Sequence, residues 1–184
     1  MSTYKTPDTS TLSVDFGEVL ELDYAESEVG LRLPDGRSER VLLKTACPTE
    51  FVVHEPTVAD NGDLRMSLEI LKFDLVGTSE VLWPGEQVRV LGGVKSAPGA
   101  RPIFGSVSIP AGKAIEDGVE SEQLLFLTAD TPVGILHNET PVRMAGKLYR
   151  IPPHGSRFRS TSEVPLQDEW GENVLTVWAC ANEA

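Results

Sequence analysis

Three histidines are the residues of this 184-residue chain best suited to chemistry. His54 and His137 stand in similar surroundings, "VHEPTV" at 53–58 and "LHNETPV" at 136–142, each with a carboxylate close by, Glu55 and Glu139. Two imidazoles with one or two carboxylates form a nitrogen and oxygen donor set that suits zinc or non-haem iron. Neither stretch has the H-x-H or H-E-x-x-H spacing that places ligands on one element. A metal site therefore needs the fold to bring His54, His137, Glu55 and Glu139 together from two parts of the chain. The plainer reading is two hydrogen-bonded histidines at strand ends beside turns.

His154 lies in a different setting, "YRIPPHGSRFRS" at 149–160. Proline cannot donate to a strand ladder, so Pro152-Pro153 followed by His154-Gly155 ends a strand and makes a loop. Arg143, Lys147, Arg150, Arg157 and Arg159 crowd around it, with no acidic residue between 141 and 162. The chain as a whole carries 16 basic and 28 acidic residues, net charge −12, so this is a local reversal of sign. The arginine fork suits the carboxylate or phosphate of a small anionic molecule. On that reading the five basic residues bind the ligand, and His154, with Tyr149 beside it, is the candidate acid or base because imidazole titrates near working pH. Two other readings stay open: the basic element docks on an acidic one, or its arginine stems cover apolar neighbours in a solvated hairpin.

Other chemistry is poorly supported. No G-x-G-x-x-G or G-K-[ST] loop is present, so no nucleotide cofactor is expected. Ser156 sits in "HGSR", which lacks the G-x-S-x-G setting of a hydrolase nucleophile. Cys47 and Cys180 are too few for a disulfide scaffold and read as buried free thiols. The net charge of −12 argues against nucleic acid and anionic membranes as partners. The opening "MSTYKTPDTSTLSVDF" lacks the apolar core of a signal peptide, and no run reaches membrane-spanning length. A cytoplasmic protein is expected.

The elements that must position these residues are strands. In "LRMSLEI", Leu64, Met66, Leu68 and Ile70 alternate with Arg65, Ser67 and Glu69, the period of a half-buried strand. "VGLRL", "RVLLKTA", "EFVVHE", "QVRVL" and "NVLTVWA" are similar runs, separated by turn signals such as "LPDGR", "DNGD" and "WPGE". The alternation changes phase after Ile70, where Phe73 and Leu75 take over, which signals a bulge or a strand passing between sheets.

The chain also repeats itself. "SERVLLKTA" at 38–46 matches "SEQLLFLTA" at 121–129, "FGEV" at 16–19 matches "FGSV" at 104–107, and "TSEV" recurs at 78–81 and 161–164. "WPGEQVRV" from Trp83 matches "WGENVLTV" from Trp170, and the histidine stretches fall in the same order. These collinear pairs predict an all-β fold with an internal duplication: two tandem β-sandwich-like repeats packed with pseudo-two-fold symmetry, with a single interlocked fold to which each copy gives half the strands left open. The expected organisation is an N-terminal arm at 1–15, repeat one at 16–94, a linker at 95–103, repeat two at 104–180 and a tail at 181–184.

Two functions fit these residues. The first is a soluble binding or interaction protein, with a small molecule or a protein as partner, self-associating as a homo-oligomer through edge strands or its charge-complementary elements. The second is a small enzyme of lyase, isomerase or cyclase type acting on a small anionic or polyketide-like molecule, with or without a histidine-bound zinc or iron.

Overall fold

The structure, a computed structural model, describes residues 12, 14–23 and 25–183. Among the described residues fifteen strands form one continuous sheet. They are β1 (Val19–Leu22), β2 (Glu26–Arg32), β3 (Ser38–Thr45), β4 (Thr49–Val53), β5 (Thr57–Val58), β6 (Leu64–Thr78), β7 (Gln87–Gly92), β8 (Ile103–Ile109), β9 (Val119–Leu125), β10 (Leu127–Thr131), β11 (Gly134–His137), β12 (Val142–Leu148), β13 (Arg157–Ser160), β14 (Val164–Gln167) and β15 (Asn173–Glu183). One 3-10 turn, Ile115–Asp117, lies between β8 and β9. The all-β expectation holds.

Eight of these strands close on themselves. Each of β2, β3, β6, β8, β9, β12 and β13 pairs antiparallel with the next in that series, and β15 pairs with both β13 and β2. The circuit follows chain order, which makes it an up-and-down barrel and removes the free edges of its strands. Its register is strongly staggered. From Val76 the pairing runs through Lys44, Glu26, Glu183, Arg157, Lys147, Glu120 and Ser108 to Arg65, so it re-enters β6 lower by 76 − 65 = 11 residues. Closure with such a stagger tilts the strands, and eight strands leave an interior wide enough for packed side chains or one small ligand.

Strict alternation supplies the inner face. In β3, Val41 and Leu43 are buried while Arg40 and Lys44 face solvent; in β8, Ile103, Val107 and Ile109 are buried between exposed Phe104, Ser106 and Ser108. The phase change in β6 is a bulge. Phe51 of β4 pairs with Ile70 and Glu50 with Lys72, leaving Leu71 as the extra residue. On the other edge β6 gives up β8 at Ile70 and takes β7 from Phe73. One long strand thus serves two regions of the sheet, as its broken period implies.

Of the two arrangements left open by the repeat, separate tandem sandwiches do not form. Strands of 16–94 pair directly with strands of 104–180 at β6–β8, β7–β10 and β2–β15, so the two halves interlock. Size favours this arrangement: the fraction of surface buried rises with chain length, so one shared barrel buries more than two units of roughly 80 residues would. The segment expected as a linker is tied to the sheet, with the Lys95 amide donating to the Leu71 carbonyl and Ile103 fully buried at the start of β8. Ala181, Asn182 and Glu183, expected in the tail, complete β15 and pair with β13 and β2; Ala184 lies outside the described residues. Most of the N-terminal arm also lies outside them, although Leu12 and Val14 pack against the core. Among the described residues no helix is long and apolar enough to cross a membrane.

Candidate functional site: an apolar cavity in the barrel

The inward residues do not fill the barrel. A cavity of about 130 Å³ remains, walled by Val29, Leu43, Leu68, Leu125, Leu148 and Phe158 of the barrel strands together with Leu22, Phe51, Val90 and Leu127 from the strands beside them. A single water needs about one-tenth of that volume, and the mainly apolar walls offer it few partners. Leaving such a space empty costs the fold about 3 kcal/mol, at roughly 24 cal/mol per Å³.

The position of the mouth follows from exposure. Besides half-buried Thr49, Ile70 and Gln123, the lining residues that keep contact with solvent are Ala25, Glu26, Ile151, Pro153, Asn182 and Glu183. They come from one end of the barrel, where β2 begins, β15 ends and the β12–β13 connection crosses. Polar groups are few and grouped. Ser27 Oγ donates to Asn182 Oδ1 at 2.6 Å across the β2–β15 pair, and the Cys180 thiol lies 3.6 Å from the same oxygen. Burial pushes this thiol up to about 11, against a weaker opposing pull from its contact with Ser27. It stays protonated and poorly nucleophilic at neutral pH. On the facing wall Ser121 and Gln123 occupy successive inward positions of β9. The Ser121 hydroxyl oxygen is buried without a hydrogen-bond partner. Among the described residues no lysine, arginine or histidine lines the cavity.

The residues singled out by type are placed elsewhere. Arg143, Lys147, Arg157 and Arg159 stand on the exposed face of β12 and β13. Arg143 pairs with Glu122 at 3.4 Å and Arg157 with Glu183 at 3.1 Å, neighbours on adjacent strands. Exposed pairs of this kind contribute about 0–1 kcal/mol. Arg150 Nε donates to the His154 carbonyl at 3.3 Å, and the exposed His154 closes the turn through its amide on Pro152. The Tyr149 ring covers Gly118, where a Cβ would come within 2.7 Å of it. The candidate metal ligands are likewise apart. His54 faces Glu69 at 3.8 Å, not Glu55, because β4 lies against β6; His137 faces Glu139 at 3.4 Å. Among the described residues no group of three His, Cys, Asp or Glu side chains is placed to hold a metal ion.

The proline loop does reach the cavity, but through Ile151 and Pro153, which residue chemistry alone passed over. The signal available in the sequence was the departure from β alternation at that point, not the charge around it.

No protein-family model matches the chain, and no curated protein does. Among solved structures, DynF from the dynemicin biosynthesis pathway of Micromonospora chersina is similar, with a TM-score of 0.69 over 95% of this chain and 89% of that one, at 17% identity. The two chains share a fold.

Proposed function

We propose that this protein binds a mainly apolar small molecule inside its barrel. The observation that carries the reading is the cavity itself: about 130 Å³ of space between leucine, valine and phenylalanine side chains, opening at one end of a closed circuit of strands. Apolar area removed from water contributes about 25 cal/mol per Å², which is the driving force for such a ligand. An apolar ligand would also relieve the cost of the empty space. A second reading, an enzyme acting on a polyketide-like molecule, is favoured by one observation: the fold is shared with DynF, a protein of a biosynthesis pathway. Under it the bound molecule is a biosynthetic intermediate, and the ionisable groups among the described lining residues are the Cys180 thiol and, at the mouth, Glu26 and Glu183.

Benzene tests the binding reading directly. A ligand that binds the folded state alone raises its stability by RT ln(1 + [L]/Kd), about 2.7 kcal/mol at a hundredfold excess over Kd. The thermal midpoint should therefore rise with benzene concentration. A midpoint that stays flat or falls up to benzene saturation would remove the reading.

A further inference from the structure

The cavity also restricts the charge of what it accepts. We infer that its ligand is uncharged and carries one hydrogen-bonding group, a hydroxyl or carbonyl, which meets the Ser121 hydroxyl; this rests on the binding reading above. Three observations converge. First, Ser121 lies at an inward position of β9, lines the cavity, is 5% exposed and leaves its hydroxyl oxygen without a partner. Buried polar atoms are nearly always satisfied, so an orphan beside an unfilled space points to a group that arrives with the ligand. Second, Gln123 is the next inward residue of β9 and adds an amide to the same row. Gly105 on the adjoining strand leaves room for it, since a Cβ there would stand 3.2 Å from Gln123 Cγ.

Third, among the described residues no lysine, arginine or histidine lines the cavity. The acids at its mouth are Glu26 and Glu183, and Glu183 is ion-paired with Arg157 at 3.1 Å. A carboxylate drawn inside would lose its hydration and meet no cation among the described lining residues. An alcohol or ketone of the same length carries no such penalty. The basic residues on the outer face of β12 and β13, which in the sequence suggested an anionic ligand, have no access to the interior. Glu120 and Glu122 share that outer side of the sheet, facing away from Ser121.

Titration of the full chain with benzene, octan-1-ol and sodium octanoate at pH 8, followed by NMR of its leucine and valine methyl groups, tests this. Benzene and octanol should shift the methyls of Leu125, Leu148 and Val29, with octanoate at least about tenfold weaker than octanol. Ser121→Ala should weaken octanol by about fivefold, the size of one net hydrogen bond, and leave benzene within about twofold. Octanoate binding as tightly as octanol to the unaltered chain would overturn the inference, whatever the variant does. So would an unchanged octanol affinity in Ser121→Ala. Absence of any benzene shift would instead overturn the binding reading, and this inference with it.

Discussion

Both carboxylate oxygens of Glu39 are occupied. Its side chain accepts from the Ser79 hydroxyl at 2.6 Å and from the amides of Glu80, Val81 and Leu82 at 2.6, 3.0 and 3.0 Å. Burial pushes the carboxyl up, but these four donors together outweigh it and hold the group below its ordinary value of 4.5. The loop after β6 is thereby tied to β3. A carboxyl more acidic folded than unfolded adds stability that is complete above the unfolded value and is lost as pH falls through the folded one. Glu39→Gln should therefore lower the thermal midpoint clearly at pH 7 and by much less near pH 3. An equal loss at both pH values would show that the charge is irrelevant to the anchor. Nothing in "SERVLLKTA" distinguishes Glu39 from any solvated glutamate. Its four donors come from residues some forty positions along the chain, and only the β3–β6 pairing delivers them.

Strand breaks carry meaning at the scale of elements. The two matching stretches of the proposed duplication behave differently: 38–45 forms the unbroken strand β3, whereas 121–129 is divided at Phe126 between β9 and β10. β9 stays in the barrel and β10 crosses to β7. Asn138 stitches the break. Its Oδ1 accepts from the Leu127 amide at 2.8 Å, and its Nδ2 donates to the carbonyls of Leu125 and Thr140 at 2.9 and 2.8 Å. Asn138 is 2% exposed, so these backbone groups have no water to turn to. Asn138→Leu should cost about 2–3 kcal/mol in urea unfolding, the penalty of buried groups left unpaired. A loss below about 0.5 kcal/mol would mean that the break closes by itself. The side of the strand break now lines the cavity through Leu125 and Leu127, so this amide shapes the site without touching it.

For the whole molecule, stability and ligand space oppose each other. Interior side chains of closed barrels usually pack to the density of an organic crystal, and here they stop short by about 130 Å³. Adding atoms to the wall should stabilise the empty protein and exclude its ligand. Val29→Ile places one further methylene in the cavity while keeping the β-branched shape that strands favour. It should raise stability by about 0.8 kcal/mol and weaken benzene binding. A destabilised variant would indicate that the wall has no slack at Val29 and that the cavity lies beyond its reach.

Period-two alternation, Gly and Pro turns and the phase change at Ile70 were enough to determine strands, their inward faces and the bulge in β6, because these depend on residues within a few positions of each other. The charge reversal between 141 and 162 was legible for the same reason. Whether those strands make two sandwiches or one barrel was not, since β15 closes on β2 from the far end of the chain. The cavity depends on that closure. Val29 and Ser121 look like ordinary strand residues until the register of eight pairings sets them around one space. His54 and Glu55 look like a pair until β4 turns the imidazole toward Glu69. The sequence determined which way each side chain faces along its own strand; only the tertiary structure decided what stands opposite, because that is set by pairings between residues up to about 150 positions apart.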